Sequence, residues 1–387
     1  PMRRIYLDHN ATTPLRPEVL ESMLPYFAEH YGNPSSLHAW GREAKAALET
    51  SRETIARALG SPDKDSIVFT GSGTEADNLA IKGVAYAYEG KGRHIITSSV
   101  EHHAVLNPCH HLEKRGFLVT YLPVSSEGLL DLEELKRAIR KDTILVSLMH
   151  ANNETGAVFP VEEASRLCRE RGVLFHTDAI QSFTKLPLDV SSNPIDLVSI
   201  SAHKLYGPKG VGALYIRRGI KLLPLLHGGH HERNRRAGTE NLASIVGFAR
   251  AVELSMAERQ REGSRLMALR DSLEKGLMER IPRVRRNGPS KERLPHVTNL
   301  SFEFVEGEGL ILSLDLVGVA VSSGSACTSG SLEPSHVLSS MGVPPEIAHG
   351  SLRFSLGRST TSEDIEYVLQ VLPPIVERMR AMSPLAA

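Results

Sequence analysis

Cysteine is scarce in this chain of 387 residues. There are three cysteines, at positions 109, 168 and 327, and no two of them form a C-x-x-C pair. This odd, sparse set argues against a disulfide framework and against a structural zinc site. Reduced thiols are typical of a reducing compartment, so we expect a cytoplasmic location.

The sequence also lacks long apolar runs and an excess of charge of one sign. No run approaches the roughly 20 apolar residues that a membrane helix needs, and the N-terminal segment lacks the apolar stretch of a signal peptide. Basic and acidic residues number 45 each. We therefore expect neither a membrane partner nor a nucleic-acid partner, since the latter requires clustered cationic charge.

Short apolar, β-branched runs alternate with helical patterns over residues 50–260. Continuous apolar runs favour strands buried on both faces, and their alternation with helices predicts a parallel sheet covered by helices. The predicted strands span residues 66–70, 94–97, 143–148, 173–176, 196–200 and 211–216, and intervening helices span 131–139 and 164–171.

The last part of the chain has a different pattern. A charged stretch with leucines at helical spacing predicts a helix over 256–280 that leads out of the first domain. A mixed α+β pattern follows, with a strand over 296–304 and an amphipathic helix over 362–379. Residues 322–335 contain almost no large apolar side chain, which predicts a mobile segment.

One short segment follows a predicted strand and is rich in small residues. Residues 71–78 read GSGTEADN, and we expect Thr74 to cap the helix that begins there. The N-terminus of such a helix can bind phosphate through its dipole and its unpaired N–H groups. An ordinary strand–helix turn explains the pattern equally well.

Two charged residues stand at the ends of buried strands. Asp178 lies where ligands bind in such sheets, and a carboxylate there can keep a pyridine nitrogen protonated. Lys204 follows another strand beside Ser201 and His203. A partly desolvated lysine can form a Schiff base. The alternatives are a helix-capping aspartate and an exposed loop lysine.

Histidine is common, with 17 residues, and most of them must be structural or exposed. His102 follows a strand and can stack on an aromatic ring and relay protons near neutral pH. His230 and His231 are adjacent and point apart, so they do not suggest a metal site.

The three cysteines differ in their surroundings. Cys109 and Cys168 lie in helical patterns and are predicted to be structural. Cys327 lies in the segment 322–335, where an accessible thiol can act as a nucleophile. No lysine, arginine or histidine in that segment explains a lowered pKa of this thiol, so its activation must come from elsewhere.

Taken together, these features resemble the cysteine desulfurases, which are fold-type I pyridoxal-phosphate (PLP) enzymes of the class V aminotransferase superfamily. The resemblance covers almost the whole chain. The motifs at 322–337 and 352–358 are specific to desulfurases with a long catalytic loop. Residues 373–384 resemble the nitrogen-fixation, NifS-like branch more than the IscS-like one. The matching motifs are LDHNATTP at 7–14, YGNPSSLH at 31–38, GSGTEADNLAIKG at 71–83, EHHAVL at 101–106, NNETG at 152–156, HTDAIQ at 176–181, SAHKLYGPKG at 201–210, RRAGTEN at 235–241, SSGSACTSGSLEPSHV at 322–337 and LRFSLGR at 352–358.

The resemblance implies an α/β fold with a mainly parallel seven-stranded sheet, helices on both faces and a smaller α+β domain. The large PLP-binding domain would span 14–258, and the small domain would combine 1–13 with 259–387 and carry Cys327. The implied reaction converts L-cysteine to L-alanine and leaves the sulfur on Cys327 as a persulfide. The implied partners are a second copy of the chain and an iron–sulfur scaffold or another sulfur-acceptor protein.

The resemblance also implies a role for each matching residue. Lys204 would bind PLP covalently and act as a base, Cys327 would accept the sulfur, and His102 would stack on the ring and transfer protons. Arg353, together with Asn153, would bind the substrate carboxylate. The other cofactor contacts would be Asp178 at the pyridine nitrogen, Gln181 and Asn153 on the phenolic side, Gly73, Thr74, Ser201 and His203 at the phosphate, and Thr239 at the phosphate of the other subunit.

Three alternatives stay open at this point: a selenocysteine lyase, another class V aminotransferase, and a non-catalytic scaffold. The cysteine segment argues against an aminotransferase, and the presence of Lys204 and Cys327 argues against a scaffold. No metal set belongs to this chain alone, although Cys327 could transiently contact a nascent cluster on a partner. The sequence departs from some relatives at Gly73 and at residues 8–10, and we expect neither difference to touch the chemistry.

Overall fold

The strands and helices are described for residues 3–323 and 334–382 of a computed structural model. Cys327 lies outside these residues. The strands are β1 (Ile5–Tyr6), β2 (Ile67–Thr70), β3 (His94–Ser98), β4 (Leu118–Leu122), β5 (Thr143–Met149), β6 (Leu174–Asp178), β7 (Leu197–Ser201), β8 (Gly212–Ile216), β9 (Val284–Asn287), β10 (Val297–Phe302), β11 (Val319–Ala320) and β12 (Ser351–Ser355).

Helices follow most of these strands. The α-helices are α1 (Pro17–Met23), α2 (Pro25–Ala28), α3 (Ala39–Ala58), α4 (Gly73–Tyr88), α5 (His103–Glu113), α6 (Leu132–Ala138), α7 (Val161–Glu170), α8 (Leu242–Arg280), α9 (Gly307–Asp315), α10 (His336–Ser340), α11 (Pro345–Ala348) and α12 (Ser362–Met382). Short 3-10 helices span Lys64–Ser66, Ala202–Lys204 and His231–Asn234. In the described part of the chain, no helix combines the length and apolar character needed to cross a membrane.

Strands β2 to β8 form the central seven-stranded sheet. Its order is β2-β8-β7-β6-β5-β3-β4, and β8 runs antiparallel to both of its neighbours while the other pairs are parallel. This confirms the predicted α/β fold and the six predicted strands. The seventh strand, β4, was missed because it lies at the sheet edge, where Leu118 is 54% exposed and the apolar run is broken.

The long helix α8 begins earlier than the prediction of 256–280. Its first half is apolar and buried, with Ile245, Phe248 and Val252 packed in the same hydrophobic cluster as the central sheet. Because this half carries few charged residues, among them the exposed pair Arg250 and Glu253, the amphipathic pattern becomes clear only further along the helix. The prediction therefore found only the second half of the helix.

Helix α8 also connects two hydrophobic clusters. Met256 packs against the cluster of the central sheet, whereas Leu266 and Leu273 belong to a second cluster with β10, β12 and α12. The second cluster covers the three-stranded antiparallel sheet β12-β10-β9 and the parallel pair β1-β11. We propose that the domain boundary lies between Met256 and Leu266, and the predicted limits of 14–258 and 259–387 stay a prediction.

Residues 8–13 cross from the second cluster to the central sheet. Asp8 forms a β-bridge with Ser355 of β12. Five residues later, the backbone N–H of Thr13 donates to the carbonyl oxygen of His203 at 3.1 Å. This N-terminal segment, residues 8–13, therefore lies between the end of β7 and the small sheet.

A buried ion pair fixes the chain before Thr239. Glu232, Arg233 and Asn234 have φ of 46°, 54° and 63°, and this left-handed backbone is costly for residues other than glycine. Both carboxylate oxygens of Glu232 accept from Arg52 of α3, at 2.7 and 2.8 Å, and one also accepts from the N–H of Phe69 at 2.8 Å. These contacts hold the segment in its left-handed conformation.

We expect Glu232→Gln to destabilise the protein by about 2–3 kcal/mol, because it removes the buried carboxylate that pairs with Arg52 and leaves Glu49, at 3.2 Å, as the remaining ion-pair partner of that arginine. The measurement is the midpoint of urea denaturation. A matched control is Glu53→Gln, which breaks a pair with Arg57 whose side chains are 59% and 74% exposed. Such a surface pair contributes little, and equal shifts for the two variants would contradict the prediction.

Candidate active site

The ends of two parallel strands bring the predicted lysine and aspartate to one edge of the sheet. Asp178 is the last residue of β6, and Ser201 is the last residue of β7. The 3-10 helix Ala202–Lys204 follows directly. Because carboxyl ends of neighbouring parallel strands meet at the same edge, Lys204 and Asp178 lie in one crevice.

The N-terminal segment forms part of this site. The side-chain amine of Lys204 donates to the carbonyl oxygens of Asn10 and Ala11, at 2.5 and 2.8 Å. The side-chain amide nitrogen of Gln181 donates to the same Asn10 oxygen at 2.9 Å. The backbone of the N-terminal segment therefore lies against Lys204 and Gln181, and the expectation that the sequence differences at residues 8–10 do not touch the chemistry stays a prediction.

Burial controls the charge of Asp178. Desolvation raises the pKa of its carboxyl group to about 6, and the N–H of Ile180 and the nearby charge of Lys204 oppose that rise. The N–H of Ile180 donates to Asp178 Oδ1 at 2.9 Å. The carboxylate is therefore ionised near neutral pH, but it lies in a site where an additional positive hydrogen-bond donor would stabilise it.

Two further carboxyl groups lie near Asp178 and were not predicted. Burial raises the pKa of Glu101 to about 8 and holds that of Asp77 well above its ordinary value. Beside Asp77, the ring nitrogens of His176 bond the hydroxyls of Ser147 and Ser199 at 2.8 and 2.9 Å. Glu101 is therefore protonated at pH 7, whereas Asp178 is ionised.

The N-terminus of α4 lies beside Ser201. The hydroxyl of Ser72 accepts from the N–H of Glu75 at 3.1 Å, so Ser72 caps this helix and the predicted cap, Thr74, is wrong. A Cβ on Gly73 would lie 2.3 Å from Ile180 Cδ1 and 3.3 Å from Ser201 Cβ. Because the first N–H groups of a helix lack partners within it, Gly73 and Thr74 offer anion-binding donors here.

The loop before α4 is also tied to the segment that carries Thr239. Glu75 accepts from the N–H of Gly71 at 2.6 Å and from Arg236 Nε at 2.7 Å. Thr239 itself is exposed, three residues after Arg236. A surface position is what contact with another subunit would require.

The two predicted histidines are both buried enough to be neutral at pH 7. Desolvation lowers the pKa of His102 and of His203 to about 4 in each case. His102 Nδ1 accepts from the N–H of Ala104 at 3.0 Å, so the proton of the neutral ring is on Nε2. His203 Nδ1 lies 3.1 Å from the hydroxyl of Thr12.

Arg353 approaches the site from the small sheet. Its Nη1 donates to the carbonyl oxygen of Asn153 at 3.1 Å, and its Nη2 donates to Asp8 at 2.9 Å. The buried Nε has no hydrogen-bond partner, and neither has the buried Oε1 of Gln181. Unpaired buried polar atoms of this kind indicate places where a polar ligand would bind.

The residues that flank the segment 324–333 are anchored near Arg353 and Asn153. Ser322 exchanges backbone hydrogen bonds with Arg353, at 2.6 and 3.3 Å. On the other side, the hydroxyl of Ser335 donates to Glu154, the neighbour of Asn153. Both anchors therefore lie at the predicted site.

Buried thiols contrast with the predicted nucleophile. Cys109 and Cys168 are buried, which confirms their structural role, and desolvation raises the pKa of each thiol to about 12. Neither can supply a thiolate at neutral pH. Among the described residues, no group of three or more His, Cys, Asp or Glu side chains could hold a metal ion.

Comparison with known proteins gives one consistent family. The model of the class-V aminotransferases matches residues 5–368. A protein named cysteine desulfurase IscS from Dictyoglomus turgidum is 57% identical over 382 residues, which is 99% of this chain and 97% of the relative. A protein of the same name from Methanosarcina thermophila is 53% identical, over 99% of this chain and 94% of the relative.

Solved structures agree with the sequence relatives. A structure named NifS-like protein superposes with a TM-score of 0.92 at 40% identity, covering 97% of this chain and all of the other. A second, described as SspA in complex with cysteine, gives a TM-score of 0.81 at 39% identity, over 91% of this chain and 98% of the other.

Asp178→Asn should stabilise the cofactor-free protein at neutral pH. Because the pKa of Asp178 is higher in the folded protein than in the unfolded chain, its ionisation penalises folding above about pH 6, and the penalty vanishes below about pH 4. We expect a gain of roughly 2–3 kcal/mol at about pH 7.5, measured by urea denaturation. The gain should disappear when the measurement is repeated below about pH 4. Equal stability of variant and wild type at about pH 7.5 would contradict this electrostatic account.

Proposed function

Because this chain belongs to the class-V aminotransferase family and, within it, to the PLP-dependent cysteine desulfurases, we propose that Lys204, Asp178 and Cys327 carry its reaction. The enzyme takes sulfur from L-cysteine and releases L-alanine. The observation that carries the assignment of residues is the meeting of the Lys204 amine and the Asp178 carboxylate at one sheet edge. That edge lies beside the N–H groups of Gly73 and Thr74 at the start of α4.

The described residues fit PLP. The N–H groups of Gly73 and Thr74, with the Ser201 hydroxyl and His203, would hold the phosphate. Asp178 would accept a hydrogen bond from the protonated ring nitrogen. The buried Oε1 of Gln181 has no hydrogen-bond partner, which supports a polar contact of this side chain with the cofactor. Bound PLP would supply an electron sink for charge at the substrate Cα.

The protein groups around the substrate have separate tasks. Lys204 would bind the cofactor and remove the proton from Cα, and the ionised Asp178 would keep the ring nitrogen protonated. His102 would stack on the ring and donate its Nε2–H towards the substrate sulfur. Arg353 would bind the substrate carboxylate beside Asn153, starting from its Nε–H, which has no partner.

Cys327 would then accept the sulfur. Its thiolate attacks the sulfur of the substrate, an S–S bond forms and the C–S bond breaks. The electron pair of that bond stays with the carbon skeleton, which leaves as alanine after protonation. The anchors at Ser322 and Ser335 support this role because they place both ends of the segment at Arg353 and Glu154.

We also propose that the enzyme is a cytoplasmic homodimer in which Thr239 reaches the phosphate of the partner subunit. Large apolar side chains are exposed near the N-terminus, which supports an interface there. They are Leu20, Leu24, Phe27, Tyr31, Leu37 and Trp40. The exposed position of Thr239, on a segment held by the Arg52–Glu232 pair, is compatible with contact across that interface.

The persulfide on Cys327 would pass to an acceptor protein, and we propose an iron–sulfur scaffold as that acceptor. The resemblance of residues 373–384 to the NifS-like branch predicts a role in nitrogen fixation. The relatives from Dictyoglomus turgidum and Methanosarcina thermophila carry the name IscS. The nitrogen-fixation role therefore stays a prediction.

Cys327→Ala should retain the visible absorbance of bound PLP and lose both alanine and sulfide formation from L-cysteine. The assay measures alanine and sulfide together on the purified holoenzyme. Cys168→Ala is the matched control, since its buried thiol has a pKa raised to about 12, and it should keep both products. Alanine formation by Cys327→Ala at the wild-type rate would refute the nucleophile.

Mixed dimers test the role of Thr239. Lys204→Ala and Thr239→Ala should each have low activity alone. After the two are unfolded and refolded together, mixed dimers contain one site with an intact Lys204 and an intact Thr239 from the other chain. Activity should then rise well above the mean of the separate variants. No recovery, with mixed dimers present by mass spectrometry, would show that Thr239 does not serve the partner site.

A further inference from the structure

Asn10 joins parts of the site that lie far apart in the chain. It is 2% exposed, and all its polar groups have partners. Its N–H donates to the hydroxyl of Ser355 at 2.9 Å, and its Nδ2 donates to the carbonyl oxygen of Asn153 at 2.9 Å. Its Oδ1 lies 2.8 Å from His296 Nε2.

These partners fix the orientation of the Asn10 amide. A carbonyl oxygen can only accept, so the group that faces Asn153 must be Nδ2 and the group that faces His296 must be Oδ1. His296 Nε2 must then carry a proton. Burial lowers the pKa of His296 well below its ordinary value, so the ring is neutral and its Nδ1 is unprotonated and without a partner.

The fixed side chain also fixes the backbone at residues 10 and 11. The two carbonyl oxygens there converge on the amine of Lys204, at 2.5 and 2.8 Å. Two acceptors stabilise an amine that has hydrogens to donate, above all an ammonium group. When its nitrogen is joined to a cofactor, the same lysine has at most one hydrogen left for them.

We propose that Asn10 is a positioning residue: its side chain holds the carbonyl groups of Asn10 and Ala11 as the receiving site for the Lys204 amine whenever that amine is not joined to the cofactor. The inference rests on the proposed function, in which Lys204 binds PLP. By stabilising the released amine, the two carbonyl groups favour displacement of Lys204 by an incoming amino acid. They also hold the amine at a defined place beside the substrate.

The test is titration of the holoenzyme with L-alanine, an amino acid that can displace Lys204 without giving up sulfur. Displacement is followed by the change in visible absorbance. Asn10→Ala removes two buried hydrogen bonds while keeping the backbone carbonyl. We expect the apparent dissociation constant for L-alanine to rise about five- to tenfold, with an unchanged resting spectrum.

Asn287→Ala is the matched control. Asn287 is also 2% exposed and its side chain also makes two hydrogen bonds at 2.8 Å, but to Asn299 and Ser301 of the small sheet. It should bind L-alanine as the wild type does. Equal weakening in Asn10→Ala and Asn287→Ala would overturn the proposal, because general destabilisation would then explain both.

A second measurement needs no cofactor. In the cofactor-free protein, acetylation of Lys204 by acetic anhydride, followed by peptide mass spectrometry, should be several-fold faster in Asn10→Ala than in wild type or Asn287→Ala. If Asn10→Ala does not fold, Asn10→Asp replaces it, since aspartate keeps the acceptor for His296 and loses the donor to Asn153. An unchanged acetylation rate in a folded variant would overturn the proposal.

The outcomes also separate this proposal from the proposed function. If Lys204 does not bind the cofactor, Lys204→Ala has the same spectrum as the wild type and the same titration with L-alanine. If Lys204 binds the cofactor and Asn10 has no positioning role, the wild type titrates normally and Asn10→Ala titrates with the same constant.

Discussion

The site depends on the position of the N-terminal segment between the two hydrophobic clusters. Asp8 bonds Arg353 of the small sheet, and Asn10 and Ala11 receive the amine of Lys204 from the central sheet. Thr13 then binds the backbone of His203. A displacement of one sheet against the other would therefore move these few residues, and with them the spacing between the lysine and the arginine.

Burial rather than ion pairing sets the charges around Lys204. Desolvation keeps His102 and His203 neutral and keeps Glu101 protonated at pH 7, since it lowers the pKa of imidazoles and raises that of carboxyls. Asp178 remains charged in the same surroundings because an N–H group and the charge of Lys204 offset part of the desolvation. An ionised carboxylate next to a basic amine is the arrangement that a protonated pyridine ring would require.

Much of this site follows from one rule of sequence reading, since Asp178, Ser201 and Lys204 all lie where an apolar run ends. The rule gave no information on Asn10, which follows a strand of two residues. Its partners lie 143, 194 and 286 positions away in the chain. The edge strand β4 and the buried half of α8 escaped prediction for a related reason. The apolar run of β4 is interrupted, and the first half of α8 is apolar on most sides, so neither shows the periodicity by which strands and amphipathic helices are recognised.

The proposed binding of the substrate carboxylate by Arg353 is compatible with the contact that its guanidinium already makes with Asp8. A buried arginine without a partner would be costly, and Asp8 removes that cost before any substrate arrives. The unpaired Nε still favours a second carboxylate, because a buried donor without an acceptor is destabilising. Substrate and product both carry this carboxylate, so tighter binding of the group would hold alanine as firmly as cysteine and would not accelerate the chemical step. In the role proposed for Arg353, a guanidinium shared with Asp8 would orient the amino acid while leaving the product able to dissociate.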